Sequence, residues 1–176
     1  MKKILAIAFS ALVFTACKKE HDNKNSSADG NDYTSVRQFD VNGIDLGSLN
    51  NTDDDYRQEN WPDWVLQKFA PLDTVDLRGF YPSEVTIDRL FPNPCKDTQT
   101  LKYFATQPIN LKLLLIDEGR NTLMLQTYSL NNAQNFLGLS YKNLALAPGN
   151  YRLFFGLSAN NYPFYKRGHI DILVNQ

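Results

Sequence analysis

Cysteine, histidine and net charge are all scarce in this chain. Among 176 residues there are two cysteines, Cys17 and Cys95, and two histidines, His21 and His169. Two cysteines cannot build a zinc ribbon or a disulfide framework. Eighteen basic residues against nineteen acidic ones leave a formal charge of −1, without the basic excess that nucleic-acid binding needs. No apolar run approaches the ~18 residues of a membrane-spanning helix. The catalytic signatures are missing too. There is no His-Glu-x-x-His, phosphate-binding loop or dinucleotide fingerprint, and Gly138-Leu139-Ser140-Tyr141-Lys142 lacks the second glycine of a nucleophile elbow. These absences lead us to expect a protein that is not an enzyme, holds no metal and uses no cofactor.

What is present begins at the amino terminus. Met1-Lys2-Lys3 is a basic start, Ile4 to Phe14 is apolar, and Thr15-Ala16-Cys17 follows. This is the layout of a secretory signal. Phe14-Thr15-Ala16-Cys17 resembles the lipobox of bacterial lipoproteins, with phenylalanine where leucine is usual. The resemblance implies cleavage after residue 16, acylation of Cys17 and stable anchoring through two or three acyl chains. Lys18 stands where an aspartate would imply inner-membrane retention, so the resemblance implies the outer membrane. The alternative is an ordinary secretory signal followed by an incidental cysteine.

Residues 17–59 then read as a flexible polar linker. Apolar residues there are scattered without a period, so little surface could be buried to offset ordering entropy. Asp40-Val41-Asn42-Gly43-Ile44-Asp45 reads as an Asn-Gly turn rather than a calcium loop, and Asp53-Asp54-Asp55 as a solvated run. Residues 60–83 form a lead-in containing a short helix. Trp61, Trp64, Val65 and Phe69 make its apolar stripe, Pro62 sits in its first turn and Pro71 ends it. The tryptophans are expected to plug one end of the main domain, with an aromatic ligand platform as the alternative.

Residues 84–176 carry the main domain. Candidate strands lie at 84–91, 101–105, 109–117, 122–130, 136–141, 151–158 and 169–174, with a shorter one at 75–77. Seven main strands separated by turn signals predict an all-β fold, an immunoglobulin-like antiparallel β-sandwich, preceded by the short helix and disordered tether. A barrel is the alternative. The stretch Leu146-Ala147-Pro148-Gly149-Asn150-Tyr151 reads as a turn entering the best-defined core strand. Its tyrosine resembles the tyrosine corner of β-sandwiches.

Three segments, Leu90-Phe91-Pro92-Asn93-Pro94, Ile116-Asp117-Glu118-Gly119 and Leu146 to Tyr151, make residues 84–176 similar to the carboxy-terminal sorting domain of Bacteroidetes type IX secretion. That resemblance implies a small β-sandwich and offers a role in export. In that family, however, the domain is an appendage to larger cargo that usually lacks a lipobox.

Binding character is concentrated in 160–168. Tyr162, Phe164, Tyr165 and Arg167 combine aromatic and cationic groups suited to a glycan or peptide, on what reads as a loop. The alternative is that these aromatics are buried over the sandwich end. His169 and Asp171 share a strand face and are expected to be solvated. Cys95 is expected to be a small buried apolar residue. Asp73-Thr74-Val75 fits the loose O-glycosylation pattern of Bacteroidetes proteins. The expected whole is an outer-membrane lipoprotein, with its membrane as one partner and an envelope protein or glycan as another. A secreted protein with a type IX sorting domain is the alternative.

Overall fold

A computed structural model describes residues 36–49, 55–57, 59–72, 85–132, 135–159 and 162–175, without the side chains of 159, 162, 163 and 165. The signal and Cys17, His21, most of the linker, the candidate strand at 75–77 and Thr74 lie outside these residues.

The fold is all-β. Strands β3 (Val85–Phe91), β4 (Thr98–Ala105) and β7 (Phe136–Ser140) form one antiparallel sheet in the order β3-β4-β7. Strands β5 (Ile109–Asp117), β6 (Thr122–Leu130), β8 (Gly149–Ala159) and β9 (Tyr162–Val174) form the other in the order β6-β5-β8-β9. The two inner faces meet. Leu90, Leu101, Ile109, Leu111, Leu113, Leu115, Leu153, Phe155, Leu157 and Ile170 are all buried between them. Each such side chain contributes about 1.5–3 kcal/mol of apolar burial. All seven expected strands are present, and the β5 and β6 bounds coincide with the expected ones. The strand-opening tyrosine makes its corner, with Tyr151 Oη donating to Ala147 O at 2.7 Å.

Two expectations need correction. Residues 36–49 are not tether: β1 (Arg37–Phe39) and β2 (Asp45–Ser48) pair as an antiparallel hairpin. Its turn is the Asn-Gly turn anticipated above. Asp40 Oδ1 accepts the N–H groups of Asn42 and Ile44, and Gly43 takes the positive φ of 76° that the turn needs. The hairpin is held because Phe39 and Asn93 exchange both backbone hydrogen bonds, at 2.8 and 2.9 Å. Such pairing does not require an apolar period, so the sequence pattern gives no sign of it. The second correction concerns the helix α1 (Asp63–Phe69). It does not plug an end. With Trp61 it lies on the outer face of the four-stranded sheet, against Leu114, Ile116 and Phe154.

Candidate functional site

The sheet β6-β5-β8-β9 is covered on both faces, and this decides what its polar residues do. Along β8, alternation sends Leu153 and Phe155 inward and Arg152 and Phe154 outward. Along β9 it sends Ile170 and Ile172 inward and His169 and Asp171 outward. The outward set meets residues 55–57 and 59–69 instead of water. The expectation that His169 and Asp171 are solvated is therefore wrong: both are fully buried. The alternation was read correctly, but a second layer seals that face.

The sealed charges are paired. Arg152 Nε donates to Asp171 Oδ1 at 2.7 Å and Nη2 donates to Oδ2 at 2.8 Å, a bidentate ion pair between directly opposed cross-strand partners. Asp55 Oδ1 accepts the Asp171 N–H at 2.7 Å and Oδ2 accepts the Arg37 N–H at 3.1 Å. Burial pushes the Asp55 carboxyl well above the ordinary carboxylate range, and the neighbouring Asp171 charge adds to the rise. His169 Nδ1 lies 2.7 Å from Glu59 Oε1. Asp55, His169 and Asp171 each bring a ligand-type atom within 4.8 Å of the others. Yet both oxygens of each carboxylate already hold a guanidinium or a backbone N–H. The donor set works as a fastening of Asp55 and Glu59 to β9.

That fastening completes an edge. Tyr56 N–H and Glu59 N–H donate to the carbonyls of His169 and Arg167, at 2.9 and 3.1 Å. Further along, Asn93 Nδ2 donates to Asp171 O and Asn93 Oδ1 accepts from Leu173 N–H. Cys95 N–H then reaches Leu173 O, and Asn175 N–H reaches Cys95 O. The outer edge of β9 thus offers few free groups to a foreign strand.

The 160–168 stretch is not a loop. β8 runs to Ala159 and β9 starts at Tyr162, so most of it is strand. Phe164 packs at 5.0 Å from the Trp61 ring and 5.2 Å from Phe69, within the aromatic layer under α1. Arg167 donates to Glu59 O at 3.1 Å and Asn60 Oδ1 at 2.8 Å. The structure brings Phe164 and Arg167, both half-buried, together with the covering segment. The side chains of Tyr162 and Tyr165 lie outside the described set. Trp61 stacks on Phe69 at 4.7 Å, so it too is core rather than platform.

Three further nucleophile-type groups among the described residues are buried. Cys95 is buried, and desolvation, then the Asp97 charge, push its thiol up to about 12. Ser158 Oγ and Thr127 Oγ1 are buried without a hydrogen-bond partner, so no base activates either. A cleft of about 230 Å³ lies between the hairpin and β3, lined by Arg37, Asp45, Asp88 and Arg89 with Phe39, Tyr56 and Asp55. Its charges are paired as well. Arg37 binds Asp45, and Arg89 binds Asp88 at 3.0 Å and Gly43 O at 2.6 Å. The Arg37 hydrogen bond, with the Gly47 N–H, holds the Asp45 carboxyl below the usual range.

The expectation that Asp55 belongs to a solvated run is wrong, because the residue is buried under two backbone N–H groups. Sequence reasoning missed Arg152, Glu59 and the buried Lys112, whose ammonium lies 4.9 Å from the Phe164 ring. A signal existed for the first: Arg152 interrupts an apolar strand, and a hairpin register through 159–162 sets it opposite Asp171.

No family model matches the chain, and no curated protein matches it. Among solved structures, dimeric latent PorU from Porphyromonas gingivalis is similar at 13% identity and a TM-score of 0.39, over 57% of this chain and 10% of that one. The chain therefore corresponds to about a tenth of that neighbour's length.

Proposed function

We propose that the protein is an outer-membrane lipoprotein, tied to the bilayer through Cys17, whose sandwich serves a structural or recognition role in the cell envelope without catalysis. The observation that carries this reading is the lipobox-like Phe14-Thr15-Ala16-Cys17 behind a basic and then an apolar segment. The sandwich is consistent with it, because its most conspicuous polar cluster fastens one layer to another. Partners would be the membrane and an envelope protein or glycan. The test is the intact mass of the mature protein from native membranes, with acyl-chain labelling. A di- or triacylated species running from Cys17 to Gln176 is expected. An unacylated chain would overturn the anchor.

A second reading, a secreted protein with a type IX sorting domain, is favoured by where its motifs fall. Pro92-Asn93-Pro94 forms the β3–β4 connection, Asp117 to Arg120 the β5–β6 turn, and Leu146 to Tyr151 the corner into β8. Loss of the carboxy-terminal domain on maturation, seen as truncation near Phe91, would select it over the first.

A further inference from the structure

Six large apolar side chains are strongly exposed among the described residues, and four lie in residues 41–49. Val41 is 73% exposed, Ile44 59%, Leu46 61% and Leu49 51%. All four belong to the β1–β2 hairpin or its flank. Ile44 and Leu46 flank Asp45, whose register partner Phe39 is buried, so the pleat turns both aliphatics away from the body. Clustering of this kind marks a contact surface.

We infer that this face of the hairpin docks on the lipid surface to which Cys17 would tie the chain. The inference rests on the anchor reading above. Three observations favour lipid over another protein. The exposed side chains are all aliphatic, without the tyrosine, tryptophan or arginine anchors that protein interfaces concentrate. The hairpin's two carboxylates are already hydrogen-bonded. Asp40 receives two turn N–H groups and Asp45 holds Arg37, which lowers the cost of approaching an apolar medium. Finally, Val36 lies nineteen residues beyond Cys17, so the hairpin stands no farther than about 65 Å from the anchor, and tethering keeps its effective concentration at the bilayer high. With no basic cluster on the hairpin, the matching surface is zwitterionic lipid.

The hairpin is also held stiffly. Asn93 pairs with Phe39, and Arg89 Nη1 donates to Gly43 O at 2.6 Å. Docking would therefore orient the whole sandwich, not only its tether.

The test uses the full mature chain, purified from membranes and reconstituted in phosphatidylethanolamine–phosphatidylcholine vesicles. A polarity-sensitive dye is placed at Ile44→Cys, at Leu46→Cys and, as control, at Gln107→Cys beyond the far end of β4. Buried Cys95 stays unlabelled. Brominated lipids should quench the dye severalfold more at 44 and 46 than at 107, and Leu46→Asp should release the dye at 44. Dyes at 44 and 46 that stay in water while the protein co-sediments with vesicles would overturn the docking and leave the anchor standing. Failure to co-sediment, with no acyl mass on Cys17, would overturn both. Shielding of the dye that rises with protein concentration in the absence of vesicles would assign the face to a second copy and overturn the lipid proposal.

Discussion

The two sheets of the sandwich carry similar alternating strands and meet opposite fates on their outer faces. On the three-stranded sheet, Thr86, Thr98, Phe104, Phe136, Gly138 and Ser140 face outward and stay exposed. On the four-stranded sheet, residues 55–57 and 59–69 lie across the outward positions, and Lys112, Arg152, His169 and Asp171 become fully buried. Both inward faces are mainly apolar, with Gln99 buried among them on β4. What differs is a stretch of some fifteen residues drawn from far along the chain. A polar residue at an outward position thus has no fixed meaning. Under water it is a solubilising group; under a second layer it must find a partner or destabilise the fold.

Arg152 gives the largest contrast. Arg152→Ala leaves the Asp171 carboxylate buried beside Asp55 without its guanidinium, and a loss of about 3–5 kcal/mol is expected in chemical denaturation. Lys102→Ala on the bare sheet removes a half-exposed partner of Asp88 and should change stability by no more than about 1 kcal/mol. The double change Arg152→Met with Asp171→Leu sharpens the point. It should recover most of the loss, because two packed apolar groups replace the pair. Equal losses at 152 and 102 would mean that the covering layer does not exclude water.

The layers also need room. A Cβ at Gly168 would lie 2.3 Å from Arg57 O and 2.7 Å from the Phe155 ring, and one at Gly156 would lie 2.5 Å from Phe164 and 2.9 Å from Trp61. Backbone cannot yield as a flexible side chain can, so Gly168→Ala should lose about 1–3 kcal/mol and raise amide exchange at Tyr56 and Glu59. Unchanged exchange there would sink the claim that Gly168 admits the covering segment.

Acid separates the faces by sign. Asp55, in the covering segment, keeps its proton to higher pH than the unfolded chain, whose value is 3.8. The folded state then holds more protons, so stability falls as pH rises above 3.8 through the raised folded value. Asp88, on the bare face, is the reverse. Partial burial works to raise its carboxyl, but hydrogen bonds from Lys102 and Arg89 outweigh that and hold it low. Its contribution is present above 3.8 and is lost as pH falls through the lowered folded value. Asp55→Asn should remove the first trend and Asp88→Asn the second, smaller one, in denaturation midpoints measured across pH.

Much of this architecture was legible. Period-2 patterns and turn residues located every sandwich strand, because the inner faces obey one rule: apolar side chains point at the opposite sheet. Tyr151 was legible because its corner is local, four residues from Ala147. The covering layer was not. Its fastening depends on contacts between residues more than a hundred positions apart, such as Glu59 with His169 and Asp55 with Asp171. Nothing in the local pattern marks 36–49, 55–57 or 59 as ordered, since the hairpin and strap are held largely through backbone groups. The stretch 160–168 misled for a related reason. Its aromatics and cations look like a binding loop, yet Phe164 packs on Trp61 and Phe69, and Arg167 bonds Glu59 O.

The smallest effect is the sharpest control. Gly138, in β7 on the bare face, pairs with Thr100, and a Cβ there would meet nothing within 4 Å. Glycine within a strand lowers stability by roughly 0.5–1 kcal/mol relative to alanine through the entropy of the unfolded chain. Gly138→Ala should therefore leave stability unchanged or raise it by up to that amount, where the same substitution at Gly168 lowers it. The two glycines occupy the same kind of strand backbone, one with solvent beside it and one with the Arg57 carbonyl. If Gly138→Ala proved as harmful as Gly168→Ala, the outer face of the three-stranded sheet would itself have to be covered, and the distinction between the two sheets would fail.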